Sequence, residues 1–389
     1  MVSINDATDG IVFAIVVLAR LIVPLAIPRH PVPALVTVLA IDAVDQSVFQ
    51  AFTDIELDGY QTYDKALDVY YLMIAYASTI RNWGGGFAFQ VGRVLWYYRL
   101  VGVVLFEYLD ARWLLFVFPN TFEYFFLAIE LWKSSRNPFT LTKRQVIGIA
   151  AAIWVVIKLP QEWWLHVAEL DFTDEVKHRV FGVSVTDDWV DAVQNRPGVV
   201  VLIVVALAAL VAALRWASRL LPPPDWPRTW DADVQGNHLG WPTPPDEAVP
   251  VAYFGWPFVE KAFLVVCVTL IFGQILPGGE ESPVDRAVGT AAIVTISTFV
   301  SQAFARRGVT WRSTAVQFVV MGGLNTVSGM VAAALLPGVR NPPFGTYLFL
   351  VLLLTLIVVL FDQFKRIDRD PRRRMWMRRA AHALRRSPA

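Results

Sequence analysis

Two aspartates three residues apart, Asp42 and Asp45, interrupt a stretch otherwise built mainly of Val, Leu, Ile and Ala. Positions i and i+3 share one face of a helix, so the two carboxylates can together grip one arginine, share a proton or hold a cation. Four more ionisable residues, Arg20, Arg99, Glu123 and Lys158, sit inside other apolar stretches. A charge at the centre of a bilayer costs about 2.5 to 3.5 kcal/mol on insertion scales, and such residues either pair or mark a path for ions and protons. Counting along each stretch puts all six near mid-depth, three positive and three negative. The expected substrate or ion site is Asp42, Asp45, Gln46, Arg99, Asn120 and Glu123, with Arg20 and Lys158 completing a buried charge network. Asp45 and Arg99 fall at nearly the same depth and are expected to pair. The chemistry is that of an ion or proton site in a transport pathway; its alternative is a static, charge-paired plug.

These residues need helices to position them, and the composition says in what solvent. Of 389 residues 56% are hydrophobic and 17% charged, and the mean hydropathy is +0.48, values foreign to a water-soluble chain. The fold class is all-α, a polytopic transmembrane helical bundle. A helix needs about 20 apolar residues to cross the hydrocarbon core. Eleven stretches of that order occur, near 11–28, 32–52, 66–82, 87–108, 113–132, 145–164, 198–217, 257–276, 287–305, 313–336 and 344–363. Basic residues tend to stay in the cytoplasm, and with an outer N-terminus and a cytoplasmic C-terminus the inner segments carry 22 Lys and Arg against 7 outside.

The organisation follows from those stretches. Residues 1–164 form a polar-lined half of about six helices, and 165–197 an outer acidic loop in which Thr173 and Thr186 open two short helices. A seventh helix, 198–217, leads to a cytoplasmic linker, 218–257, too rich in Pro for a long helix and rich in Trp. Residues 258–364 form an apolar scaffold of about four helices. The tail, 365–389, carries ten basic residues that suit anionic lipid headgroups. Only seven of the 34 basic residues are Lys, which with the abundance of Ala and Val suggests a bacterial plasma-membrane protein.

Other chemistry is excluded. Cys267 is alone, so neither a disulfide nor a thiolate metal site can form. The five histidines never reach metal-ligand spacing, and no HExxH, GxSxG or phosphate-binding loop is present. A formal net charge of +1 gives no reason to expect nucleic acid. Gly84-Gly85-Gly86 reads as a flexible turn, and Pro119 sits at mid-span in the fifth stretch, where a broken helix can line a cavity.

The stretch Asp42-Ala-Val-Asp45, followed by Gly59 and Asp64-Lys-Ala-Leu-Asp68, resembles the acidic motif of CDP-alcohol phosphotransferases, DxxDGxxAR, then a Gly, then DxxxD across two adjacent helices. The resemblance implies a membrane-embedded, metal-dependent lipid headgroup transferase in which Asp42, Asp45, Asp64 and Asp68 hold Mg. Gln46 stands where that motif has Gly, Phe49 and Gln50 where it has Ala-Arg, and Gly59 to Asp64 is one residue too long. The third stretch begins only near residue 66, which puts Asp64 and Asp68 outside, so Asp42 and Asp64 are not expected to share one metal. Phe318 to Thr326 resembles the opening helix of small four-helix proteins linked to moving polyprenyl-linked sugars; helix packing through Gly322, Gly323 and Gly329 explains it better.

The function expected from the residues is transport of an ion, a small solute or a lipid-like substrate, with no cofactor and no metal. The alternatives are the Mg-dependent transferase and a non-catalytic structural or assembly subunit.

Overall fold

The computed structural model describes residues 7–53, 60–83, 86–168, 175–184, 187, 189–220, 229–233, 255–276, 283–306, 314–335 and 343–365. Every regular element among them is helical. In chain order the longer ones are α1 (Ala7–Ile22), α2 (Pro31–Phe52), α3 (Tyr60–Asn82), α4 (Phe87–Leu109), α5 (Trp113–Val117), α6 (Thr121–Lys133), α7 (Lys143–Ala152), α8 (Leu159–His166), α9 (Trp189–Asn195), α10 (Pro197–Leu220), α11 (Trp256–Ile275), α12 (Pro283–Arg306), α13 (Thr314–Leu335) and α14 (Phe344–Lys365).

The starts of these helices are written locally. Proline stands in the first turn of α2 and α11, where its missing N–H has no intrahelical partner to lose. Thr142 opens α7 with a capping box: its hydroxyl accepts from the Gln145 N–H while the Gln145 side chain accepts from the Thr142 N–H. Pro119 splits the fifth stretch into α5 and α6. Between α7 and α8 the chain widens into a π turn, Ile153–Lys158, just before Pro160, whose ring cannot follow a regular α-turn.

Seven helical segments are long and apolar enough to cross a membrane: Asp9–Ala26, Pro31–Phe49, Trp113–Lys133, Lys143–Leu165, Trp256–Ile275, Pro283–Ser301 and Phe344–Phe364. Helices also cover the other four stretches, as α3, α4, α10 and α13; of these α3 and α4 are too polar for that standard. For α3 the reason is its position. From Ala66 to Thr79 every residue is buried, and the helix packs against α1, α2, α4, α6, α11 and α14. A helix solvated by protein can carry polar groups that lipid would not tolerate.

The second half is not a separate apolar layer. Helices α11 and α14 lie directly on α3, the Tyr76 hydroxyl donates to the buried Glu260 carboxylate, and Lys261 Nζ sits 2.7 Å from Asp362. Within that half Gly322 and Gly329 admit α14, the latter against the Tyr347 ring, whereas Gly323 faces open space. The acidic loop forms two short helical pieces, a π turn at Val176–Phe181 and α9. Thr173 and Thr186, and the basic tail 366–389, lie outside the described residues.

Residues 229–233, in the middle of the Pro/Trp-rich linker, are pinned. The Ala232 N–H donates to the Arg29 carbonyl at 2.8 Å, Arg29 Nε lies 3.4 Å from Asp231, and Arg81 pairs with Asp233. Arg81 also donates to the Pro28 carbonyl at 2.7 Å. The linker, the α1–α2 turn and the end of α3 therefore share one end of the bundle. With the basic ends inside, a reporter fused after Gly236 is expected to read as cytoplasmic and one fused after Ser184 as external. The reverse result at either position overturns this orientation.

Candidate functional site: an arginine inside four aspartates

Arg20 lies near the end of α1, and its guanidinium is enclosed by carboxylates from two helices. One terminal nitrogen donates to Asp45 of α2 and to Asp64 of α3, the latter at 3.0 Å; the other donates to Asp42 of α2 and to Asp68 of α3, the latter at 3.3 Å. The Asp42 and Asp45 carboxylates grip one arginine together, as their spacing allows, and the partner is Arg20. Because α2 and α3 run antiparallel, Asp45, seven residues before Phe52, and Asp68, eight after Tyr60, come level at about 11 Å from that end.

Lys65 joins them. Its Nζ lies 2.9 Å from Asp64 and 3.3 Å from Asp68. Four carboxylates thus face two cations, a formal charge of −2 when all are ionised. Access is graded: the Asp45 side chain is 0% exposed and Arg20 2%, while Asp64 is 19% and Asp42 28% exposed. The site is sealed at Asp45 and open at Asp42. Single oxygens of Asp42, Asp64 and Asp68 lie within 4.8 Å of one another, close enough to coordinate one ion. Three carboxylate donors, with no nitrogen or sulfur, suit a hard cation such as Mg, Ca or Mn.

Three expectations are corrected here. Asp64 and Asp68 are not outside the bundle: α3 starts at Tyr60, six residues before the apolar stretch, and Tyr63, Asp64 and Lys65 are half-buried in polar sequence that hydropathy does not register. Consequently Asp42 and Asp64 do approach one common point. The Asp45–Arg99 pair does not form; Asp45 meets Arg20, and Arg99 donates to the Phe118 carbonyl at 2.9 Å. There it serves the break at Pro119, alongside Tyr98, whose hydroxyl donates to the Val117 carbonyl at 2.7 Å. Carbonyls freed where a helix stops inside a membrane need such donors.

The remaining expected residues gather into a second polar group around that break. Glu123 accepts from the Tyr71 hydroxyl at 3.0 Å and from the Asn120 side-chain amide, and the Asn120 backbone N–H donates to Glu162 at 3.2 Å. Lys158 Nζ stands 4.1 Å over the Tyr124 ring, a cation–π contact. The six mid-depth charges therefore divide between two clusters bridged by α3, which carries Asp68 and, one turn on, Tyr71. Gln46 is exposed and belongs to neither. Lys65, Tyr71 and Glu162 escaped the sequence reading; Lys65 was legible only through the Asp64-Lys-Ala-Leu-Asp68 pattern.

No protein-family model, no curated protein and no solved structure matches the chain.

Removing Arg20 leaves four carboxylates with Lys65 alone, whereas removing Arg99 frees one carbonyl. Breaking a buried ion pair from one side costs about 3 to 5 kcal/mol, and one lost charged hydrogen bond about 1.5 to 3. Arg20→Gln is expected to lower folded yield and the thermal midpoint of the purified protein more than Arg99→Gln. Equal losses would show that Arg20 does not hold the three helices together.

Proposed function

We propose that the protein moves a cation, or a solute coupled to one, through the Arg20–aspartate cluster of α1, α2 and α3. The observation that supports this is the charge deficit: a formal −2 at membrane depth is balanced by one divalent cation or by two protons. Arg20 acts as the internal counter-ion. When the site is filled from its open side, at Asp42 and Asp64, the guanidinium is released from part of its shell, and when the site empties it returns. An arginine that competes with the cargo for the same oxygens keeps an empty site from standing uncompensated, which a bilayer would penalise. Asp45, fully buried, holds Arg20 throughout, while Asp42, Asp64 and Asp68 exchange partners. The protein works in the plasma membrane of a bacterium, with the basic tail against anionic headgroups.

A second reading rests on the resemblance to CDP-alcohol phosphotransferases. Its aspartate pattern implies two adjacent helices whose carboxylates meet, and Asp42, Asp45, Asp64 and Asp68 do converge in this way. Under it Asp42, Asp64 and Asp68 hold Mg, which would offset the charge of a phosphate. Asp45 would keep Arg20 in place beside it. Gln46, Phe49 and Gln50 stand against this reading, since the Gly and Ala-Arg of the motif are missing.

The two separate in one experiment on purified protein in liposomes. Transport predicts gradient-driven uptake of Mg, Mn, Ca or protons, reduced about tenfold or more in Asp42→Asn and Asp68→Asn, as loss of one charged ligand of a bound ion implies. Mg-dependent release of CMP from a CDP-linked lipid without any cation uptake replaces the first reading by the second. Neither uptake nor turnover, in protein that retains its fold, sinks both.

A further inference from the structure

A cavity of about 400 Å³ on the flank of α4 is lined by Arg93, Val94, Tyr97, Tyr98, Val101 and Phe118. We propose that it binds a membrane phospholipid, with the lipid phosphate on Arg93 and an acyl chain along Val94, Val101 and Phe118. This does not depend on the function proposed for the aspartate cluster.

The argument starts from Arg93. It lies six residues into α4, about 9 Å along the axis from the helix start, a distance a long arginine side chain can largely bridge toward a headgroup phosphate. Its guanidinium has no carboxylate partner among the described residues; its recorded contact is the Phe89 ring, 5.9 Å from the ring centre. Several other buried cations of this half are answered by acids, carbonyls or rings at closer range: Arg20 by four aspartates, Lys65 by two, Lys133 by Glu130, Arg99 by Phe118 and Lys158 by Tyr124. Arg93 is half-buried in a groove whose neighbour Val94 is 67% exposed.

The surroundings fit one ligand chemistry. The two tyrosine hydroxyls of the groove are engaged with Glu260 and the Val117 carbonyl, so they offer rings rather than donors to an occupant. Tyr97 leans on Phe263 of α11 and Tyr98 on Trp154 of the π turn, which makes the groove walls aromatic and apolar on both sides. At the same end, Lys143 Nζ sits 5.5 Å over the ring of Phe87, the first residue of α4. A half-buried cation beside an apolar, aromatic trough is complementary to an anionic amphiphile. A guanidinium matches the oxygens of a phosphodiester in two-point fashion. A zwitterionic headgroup would gain less, because no acid lines the groove to receive its ammonium.

The test uses the full chain in detergent, titrated with phosphatidylglycerol and followed by native mass spectrometry. Arg93→Gln is expected to weaken retention of one phosphatidylglycerol about tenfold, with Arg93→Lys, which keeps the charge but not the two-point fit, falling between it and the unaltered protein. Val101→Trp fills the trough and is expected to weaken the same binding without touching a charge. Arg144→Gln, an equal charge loss at an exposed position on α7, is expected to change nothing. Unchanged binding in Arg93→Gln overturns the proposal, as does an equal loss in Arg144→Gln. Should the groove variants fail to fold, a photoactivatable phosphatidylglycerol on the unaltered protein decides: crosslinks within residues 87–109 support the site, and crosslinks only elsewhere overturn it.

Discussion

A guanidinium within a membrane must be surrounded by acceptors, and Arg20 takes its acceptors from two helices at once. Much of the first half follows from that requirement. Helix α1 has to lie against both α2 and α3; α2 and α3 have to be antiparallel neighbours, so that two pairs of aspartates with different spacings face one another. The outer faces of α1 and α2 are free to be apolar, and they are: Ile11, Ile15, Leu18 and Ile22 are exposed on one, Val36 and Val44 on the other. The arrangement inverts a soluble bundle, with charge inside and aliphatic side chains outside.

Helix α3 is where this inversion has its limit. From Ala66 to Thr79 it is buried in protein, and its polar side chains reach three neighbours: Asp64 and Asp68, with Lys65 between them, meet α1, Tyr71 meets α6 and Tyr76 meets α11. Aromatic packing completes its surroundings. Tyr76 stacks near Trp96, and Trp83 donates its indole N–H to Glu130 at 2.6 Å while stacking on Phe126. A small residue is needed where α4 and the broken fifth stretch approach closest: a Cβ on Gly102 would collide with the Phe118 side chain.

What was legible in the sequence divides along physical lines. Apolar runs located the helices, because hydropathy reports what lipid demands of a segment. The same measure failed at α3, whose first turns are polar and whose solvent is protein, and with the true start lost, Asp64, Lys65 and Asp68 slipped out of the bundle. The spacing of the four aspartates held information that hydropathy lacked. Depth was estimated well enough to put Asp45 and Arg99 level, but a residue on a helix has an angle as well as a depth, and the angle turned Arg99 toward the Pro119 break. The break at Pro119, in contrast, was legible, since the lost N–H acts wherever the residue stands; the same rule explains the π turn ahead of Pro160 and the helix starts at Pro31 and Pro257, which only the structure revealed.

The clasp formed by Asp231 and Asp233 on Arg29 and Arg81 has a consequence for how the chain is made. Partners some 150 to 200 positions apart cannot meet until the later one has left the ribosome. Arg81 and Arg29 must therefore wait, in a nascent first half, through the insertion of everything up to α10. Only then does the returning strand close that end of the bundle. Biogenesis thus has a built-in order, in which the charged centre can form early from α1 to α3, while the clasp at the opposite end of α3 waits for the linker.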